Sequence, residues 1–262
     1  MNSLILALAL LFASPHAVQS QQGSTPAFVI TTEPNAIVWI DEVRRGTTDS
    51  SGKLLLTKVS PARHTVRIRA SGFKESTTPL LPGRRTLSMK LLPTTDKAEL
   101  MFQQAESARD EARDDSAREK AADLYREAIK LRPSYAAAQV GLARLLMDLN
   151  QFQKAQSAID AARLARPIYP EASAVEGRIF RESAFSDEAI RSFRRSIREA
   201  NGFQPEAHVG LARVLEEKGQ FPEAVIEYKK AIDQLSDSEP VIYQMLGAAY
   251  EKLEKPTEAV TA

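Results

Sequence analysis

The feature that most constrains this sequence is a series of alanines that recur at almost equal spacing. Successive members are separated by 34, 34, 35 and 35 residues. They are Ala121, Ala155, Ala189, Ala224 and Ala259. Self-similarity at a period of this length is typical of a repeat protein, in which each unit packs on its neighbours. We therefore expect an array of similar units in the second part of the chain.

Each of these alanines occupies the same place in a repeated pattern of apolar residues. A large side chain follows four residues later and a small one seven residues later, and these offsets share one face of a helix. The large residues are Tyr125, Ile159, Phe193 and Tyr228, and the small ones are Ala128, Ala162, Ser196 and Ala231. A second run upstream carries small residues at Ala143, Gly177, Ala212 and Gly247, and large ones at Leu146, Phe180, Leu215 and Tyr250. The pattern predicts two antiparallel helices in each repeat, with small side chains facing large ones.

With these positions, residues 96–262 resemble the tetratricopeptide repeat family, whose unit of about 34 residues is a helix, a turn and a second helix. The closing proline of the family pattern stands at Pro133 and Pro167, whereas Asn201 and Ser236 replace it in later copies. The resemblance covers about four and a half repeats and implies an all-α superhelical solenoid. The packing positions of the first helix hold small residues only, which are Ala105, Ala108 and Ala112.

The N-terminus has the pattern of a secretory signal peptide. An apolar run of ten residues, Leu4 to Ala13, precedes the helix breaker Pro15 and the small-residue segment Val18-Gln19-Ser20. A buried helix and a membrane anchor are the alternatives, but ten helical residues span only about 15 Å, against a hydrocarbon core of about 30 Å. We therefore expect a signal peptide at residues 1–20, no stable transmembrane segment, and a periplasmic, cell-surface or secreted protein.

Residues 27–93 follow a flexible leader at 21–26 and have the pattern of short strands separated by turns. The strand-like runs lie at residues 27–32, 37–42, 54–59 and 64–70, and Leu87, Met89 and Leu91 continue the alternation of apolar and polar residues. Alternation with a period of two buries one face of a strand. The pattern indicates a small all-β domain, either an antiparallel sheet or a sandwich.

Several segments of this part carry the motif residues of a known β module. They are Glu33-Pro34-Asn35-Ala36, Val38 and Ile40 before Asp41, Gly46-Thr47-Thr48, and Arg69-Ala70-Ser71-Gly72-Phe73. Together they resemble the PEGA domain of bacterial surface-associated proteins, with departures at Glu42, Asp49 and Ala62. The short linker Leu92-Pro93-Thr94-Thr95 leads to the helices, and Thr95 or Asp96 can cap the first of them.

No pattern in the sequence indicates catalysis, a cofactor or a metal. Cysteine is absent, and the three histidines, His16, His64 and His208, lack the spacing of metal ligands. The acidic doublets Asp114-Asp115 and Glu216-Glu217 are more typical of solvated helix faces than of acid–base pairs. We therefore predict a protein that is not an enzyme and that has no cofactor.

The two parts of the chain carry opposite charge. Residues 27–93 contain 11 Lys and Arg against 5 Asp and Glu, whereas residues 96–262 contain 24 against 29. These net charges of +6 and −5 predict a basic β domain followed by an acidic helical array. The total of +1 gives no indication of a nucleic-acid partner.

Two large side chains leave alternatives open. If Val38 and Ile40 face the core of the β domain, Trp39 faces the opposite side of the sheet. There it either packs on a second sheet or on the first repeat, or remains exposed for recognition. His208 stands at a packing position of a repeat helix, which favours a partly buried packing histidine over a ligand.

Three arginines occupy the same position in the first helix of successive repeats: Arg144, Arg178 and Arg213. The tetratricopeptide resemblance places this position on the concave groove, with Val140, Ala174 and Val209 one turn earlier as apolar contacts. Such a row can bind a carboxylate or an acidic peptide. In the alternative, each arginine pairs with the acid four residues later in its own helix. Those acids are Asp148, Glu182 and Glu217.

The sequence therefore predicts an exported bacterial adaptor that binds a protein or peptide in the groove of its repeats. In the alternative, the β domain binds the cell envelope as a tether and the repeats act as a spacer. The last repeat reaches only three residues past Ala259. We expect its first helix to leave Leu246 and Tyr250 open to water, so that either the natural chain continues or a partner or another copy covers this end.

Overall fold

The computed structural model describes residues 28–41, 43–56, 59, 64–235, 240–254 and 258–259. The predicted signal peptide and the predicted leader at 21–26 lie outside these residues. Within them, a β-rich region with two sheets precedes an α solenoid of nine helices. This order of a β part and a repeated helical part agrees with the prediction from the sequence.

The β-rich region contains seven described strands in two sheets. They are β1 (Phe28–Thr31), β2 (Ile37–Ile40), β3 (Val43–Thr47), β4 (Lys53–Leu56), β5 (His64–Arg69), β6 (Ser76–Leu80) and β7 (Thr86–Ser88). One sheet has the order β4-β1-β7 and the other the order β3-β2-β5-β6. The other described strand pairs are antiparallel, as expected, whereas β1 and β7 run parallel. The chain leaves β6 in one sheet and enters β7 in the other, so β7 is not tied to β1 by a hairpin.

The sequence pattern did not predict β3 or β6. β3 holds two adjacent arginines and Gly46, and β6 holds Pro79. Both strands lie at the edges of their sheet. At an edge, charge, glycine and proline are tolerated because half of the backbone groups need no partner in the sheet. These strands form through pairing with the buried strands β2 and β5 rather than through their own propensity.

The core of the β-rich region lies between the two sheets. Val38 and Ile40 are buried, and Val66 and Ile68 on the neighbouring strand are completely buried, as the alternation at 64–70 predicted. Ile30 meets them from the other sheet. The opposite face of β2 and β5 therefore points away from this core, and it carries Trp39 and arginine side chains.

The helical part begins at an N-cap. The Oδ1 atom of Asp96 accepts hydrogen bonds from the backbone N–H groups of Ala98 and Glu99, which confirms one of the two predicted caps. The helices are α1 (Lys97–Glu111), α2 (Asp115–Leu131), α3 (Ala136–Asp148), α4 (Phe152–Ala165), α5 (Pro170–Glu182), α6 (Ser186–Glu199), α7 (Pro205–Glu217), α8 (Phe221–Gln234) and α9 (Pro240–Lys252).

The repeated small and large residues meet where the two helices of a repeat pack. Ala121, Ala155, Ala189 and Ala224 have no exposed surface, and neither have the large residues four positions later. A Cβ atom built on Gly177 would lie 2.7 Å from the Phe193 ring, so only glycine allows this approach of α5 to α6. The predicted packing of small against large residues is therefore correct.

The turns inside the repeats share one backbone conformation. Asn150, Ala184 and Gly219 have φ values of 58°, 62° and 73°. The residue after each donates its N–H to a carbonyl five residues earlier, at 2.7 to 2.8 Å. This is the Schellman arrangement that ends a helix, and it lets the second helix start at once.

The last described helix pair differs from the sequence expectation. Leu246 and Tyr250 of α9 are only 5% and 8% exposed, so the expectation that they lie open to water is wrong. They belong to the same core as Val225 and Tyr228 of α8. The reason is that α8 and the partly buried Ala259 cover the packing face of α9. No helix among the described residues is both long and apolar enough to cross a membrane.

Candidate protein-binding groove

A cavity of about 760 Å³ separates the outer face of the β3-β2-β5-β6 sheet from the first helices of the repeats. Residues of β2, β3 and β5 line one side, and residues of α1, α3, α5 and α7 line the other. We call this cavity the groove. Its volume is in the range of small-molecule and peptide-segment sites.

A charged junction holds the sheet against the first repeat and so shapes the groove. The Arg69 guanidinium pairs with Glu106 of α1 at 3.1 Å and with Glu75 at 2.7 Å. The Gln103 side chain accepts a bond from the Gly72 N–H at 2.9 Å and donates one to the Phe73 carbonyl at 2.8 Å. Side chains of α1 therefore satisfy backbone groups of the turn after β5, and the two parts meet through specific polar contacts.

Trp39 lies on the groove side of the sheet. The Arg67 guanidinium carbon is 4.1 Å from its ring centroid, and that of Arg69 is 5.1 Å away. Arg69 also lies 4.4 Å over the ring of Phe102 in α1. The sequence left open where Trp39 lies. In the structure, the sheet face that carries Trp39 is turned toward the first repeat, and the Trp39 ring is partly buried and lines the groove.

The three arginines predicted for the groove all line it, but their surroundings differ. Arg144 makes a bidentate contact with Glu206, with nitrogen–oxygen distances of 2.9 and 3.0 Å, and its Nη2 is 3.3 Å from Glu171. Arg178 lies 3.5 Å from the same Glu206 carboxylate. Arg213 is exposed and has no ion pair among the described residues. One glutamate on α7 therefore links arginines of α3 and α5.

The alternative pairing within single helices is wrong. Glu182 and Glu217 both contact Arg181, and Arg144 pairs with acids of later repeats instead of Asp148. An acid four residues after an arginine has the weaker orientation for a pair within a helix. A carboxylate on a neighbouring helix can meet the planar guanidinium with both oxygens, which is the stronger geometry.

The arginines also set the charge of Glu206. Burial by itself raises the pKa of the Glu206 carboxyl, but Arg144 and then Arg178 outweigh this effect and lower it to about 2. For Arg144, burial alone would lower the pKa, and the carboxylates of Glu206 and Glu171 raise it above its ordinary value. Both partners are therefore charged across the physiological range.

The apolar contacts predicted one turn before the arginines need correction. Val140 and Ala174 are 1% and 0% exposed and pack within the helical cores, so they cannot touch a ligand. Neighbouring helices cover these positions in α3 and α5. Val209 of α7 is only partly buried and does line the groove. Ile37 and Trp39 on the sheet supply apolar surface that the repeat pattern alone did not indicate.

More arginines than acids line the groove, but three acids beside it, Glu75, Glu182 and Glu217, pair with lining arginines and balance the difference. Of the described residues that line the groove, eight are arginines and five are acidic. Besides the three predicted ones, the arginines are Arg44, Arg67, Arg69, Arg109 and Arg181. The acids are Glu106, Asp110, Asp148, Glu171 and Glu206. The period-two pattern of β2 and β5 was the signal in the sequence for the sheet residues, whereas Glu206 had none.

His208 is a packing residue, as the sequence favoured. It is 3% exposed, and its Nδ1 is 2.5 Å from the Glu227 carboxylate on α8. Its Nε2 lies 3.2 Å from the Gly202 carbonyl oxygen. Burial raises the pKa of Glu227, but hydrogen bonds from His208 and Lys230 outweigh this and lower it. In the part of the chain that the structure describes, no three His, Asp or Glu side chains cluster as metal ligands.

Comparison with known proteins identifies the repeats. Residues 112–179 match one tetratricopeptide repeat model and residues 174–240 match another, so this part of the chain consists of tetratricopeptide repeats. The matches and the two-helix units define a scaffold of the class that typically mediates protein–protein interaction. A search of curated proteins gave no match.

Several solved structures share the helical fold. A thermophilic tetratricopeptide repeat protein of Thermus thermophilus is 17% identical with a TM-score of 0.54, covering 63% of this chain and 87% of that one. The Cut9–Hcn1 hetero-tetramer of the APC/C is 13% identical with a TM-score of 0.57, covering 63% and 32%. MamA of Desulfovibrio magneticus is 18% identical with a TM-score of 0.51, covering 63% and 90%. At these identities the similarity concerns the fold alone.

Proposed function

We propose that this protein is an exported, non-enzymatic adaptor that holds another protein in the groove. The observation that carries the proposal is the exposed Arg213, which has no ion pair among the described residues, in a groove that also presents the apolar surface of Ile37, Trp39 and Val209. A mixed surface of this kind suits an extended segment with both carboxylates and apolar side chains. Free acidic polymers lack the apolar side chains and should bind weakly.

Arg213 offers the clearest test of the groove. Because Arg144 is bonded to Glu206, replacing all three arginines would also disturb contacts between repeats. Arg213→Gln removes an exposed charge that has no ion pair among the described residues. A partner is first captured from an envelope extract with the purified chain, identified and purified, and then titrated calorimetrically.

We expect Arg213→Gln to weaken binding of that partner by about 1 to 3 kcal/mol, the loss typical of a charge-assisted hydrogen bond. Arg194→Gln is the matched control, because Arg194 is an exposed arginine of α6 that lies outside the groove. Equal affinities of the two variants would contradict the use of the groove.

Export is supported by the apolar run Leu4 to Ala13 and the segment Val18-Gln19-Ser20. The measurement is mass spectrometry of N-terminal peptides from the protein recovered in its native host. A mature chain that begins near Gln21 is expected. An intact Met1 on the soluble protein would contradict export.

The envelope tether is the second candidate, and the basic β-rich region favours it. Arg84 and Arg85 are exposed in the turn between β6 and β7, away from the residues that line the groove. If this PEGA-like region binds the envelope, Arg84→Glu with Arg85→Glu should release the protein from envelope fractions, because the charge of an acidic surface is then opposed. Release by Arg213→Gln instead would favour the adaptor.

A further inference from the structure

The groove has walls from two different folds. The sheet side presents Ile37 and Trp39, and the helical side presents Val209 and arginine side chains. Tetratricopeptide helices alone would leave the end near α1 open. Here the contacts of Arg69 with Glu106, and of Gln103 with the turn after β5, hold the sheet in place there. Any segment bound at this end of the groove must touch the β-rich region.

The arginines of the groove differ in whether they already have an ion-pair partner. Near the sheet, Arg69 and Arg109 are paired with Glu106, and in the middle Arg144 and Arg178 are paired with Glu206. Arg213 is exposed and lacks an ion pair among the described residues. Arg67 and Arg69 also pair with Glu75, and Arg181 pairs with Glu182 and Glu217, so among the described residues the charge left without a partner is that of Arg213. This balance favours a carboxylate from outside.

We propose that the sheet and the helices form one composite site for an extended protein segment that carries a carboxylate close to an aromatic or aliphatic side chain. The apolar side chain contacts Ile37 and Trp39 on the sheet, and the carboxylate meets the arginines that end at Arg213. This proposal rests on the proposed function and deepens it, because it makes the β-rich region part of the site. The β-rich region then selects the ligand instead of acting as a separate module.

The chain contains a single tryptophan, so Trp39 itself reports on the sheet wall. The probe is a displayed library of random 12-residue peptides selected on the purified chain, followed by titration of the synthetic winners. We expect selected peptides to combine Asp or Glu with an aromatic or aliphatic residue. Their binding should change the emission of Trp39, because burial of its partly exposed ring changes its environment.

Two substitutions test the contributions of the sheet wall and the helical wall to binding separately. Ile37→Thr removes apolar surface from the sheet and keeps a β-branched residue, and Arg213→Gln removes charge from the helices. Each should weaken the selected peptides at least about tenfold, as the loss of a buried apolar contact or of a charge-assisted hydrogen bond does. Trp39→Leu, read by calorimetry, tests the sheet wall again should Ile37→Thr lower the folded fraction seen by circular dichroism.

The controls match in residue type and lie elsewhere. Leu55→Thr changes an exposed apolar residue on the other sheet, and Arg194→Gln changes an exposed arginine of α6. Both should change affinity by less than about twofold. If Arg213→Gln weakens binding but the sheet variants and Trp39 emission show no effect, the composite site is wrong and the proposed function stands. Three outcomes would overturn both the composite site and the proposed function. They are a library that yields no binders, binders without a preference for Asp or Glu, and binders whose affinity changes with neither the sheet variants nor Arg213→Gln.

Discussion

The first and the last of the described helices pack against the rest of the molecule in different ways. At the N-terminal end, α1 meets the β-rich region through Arg69, which is 6% exposed and contacts two carboxylates and two aromatic rings. At the other end, α9 buries Leu246 and Tyr250 against α8 with the same apolar pattern that joins the other repeats. Packing of one repeat on the next needs only complementary shape and apolar area. The junction with the sheet depends instead on a buried charge whose partners must all be present.

The largest expected effect on the free energy of unfolding is at the N-terminal end of the helical array, where Arg69 is buried. Arg69→Met keeps much of the apolar length but removes the most buried cation beside Glu75 and Glu106, which keep only the more exposed Arg67 and Arg109. Removal of one member of a buried pair typically costs about 3 to 5 kcal/mol, so we expect about 3 kcal/mol less stability in urea unfolding. A loss under about 1 kcal/mol would show that packing, not charge, holds this end.

Arg44→Met is the matched control for the same junction. Arg44 also joins the β-rich region to α1, but its pair with Asp110 is 3.4 Å long and both side chains are largely exposed, at 52% and 43%. Such pairs contribute about 0 to 1 kcal/mol, so the substitution should change the unfolding midpoint little.

The next largest effect on stability is expected at Gly177 of α5, whose equivalent position in α9 is Gly247. Gly177→Ala would push a methyl group to 2.7 Å from Phe193, and overpacking of this kind costs about 1 to 3 kcal/mol. In Gly247→Ala the nearest atom of the described residues to the added methyl group is the Ala259 carbonyl oxygen, at 3.4 Å. There the better helix propensity of alanine should stabilise the protein by up to about 1 kcal/mol. Thermal unfolding of both variants checks this contrast, and effects of the same sign would contradict it.

A smaller effect on stability is expected at Glu206, in the centre of the groove. The pKa of Glu206 is lowered from 4.5 to about 2, so its stabilisation is fully present above about pH 4.5 and is lost as the pH falls through about 2. Glu206→Gln should cost about 1 kcal/mol at pH 7, below the value for a fully buried pair because the Glu206 side chain is 35% exposed. The gap between the two proteins in urea unfolding should close between about pH 4.5 and pH 2. A gap independent of pH would contradict the ionic origin.

The smallest effect on stability is expected at Arg213. It is exposed and has no ion pair among the described residues, so Arg213→Gln should change the free energy of unfolding by less than about 0.5 kcal/mol. A larger loss, measured by the same urea unfolding, would mean that a weakened partner affinity reflects damage to the fold.

Prediction from the sequence succeeded where local pattern and packing agree. The spacing of Ala155, Phe193 and their equivalents predicted two helices per repeat, because a helix shows its packing face every three to four residues. Alternation around Val66 and Ile68 predicted the inner face of the sheet. Prediction failed for Val140 and Ala174, since a position counted from one helix does not show which neighbouring helix covers it.

The amino-acid sequence by itself determined the repeat, its helix pairs and the turns between them, because these depend on residues within about 35 positions of one another. Only the tertiary structure decided that Glu206 joins Arg144 to Arg178, and that Trp39 faces the first repeat beside Arg67 and Arg69. The physical reason is that ion pairs and cation–π contacts depend on distances of a few ångströms between residues far apart in the chain, and such distances leave no periodic signal in the sequence.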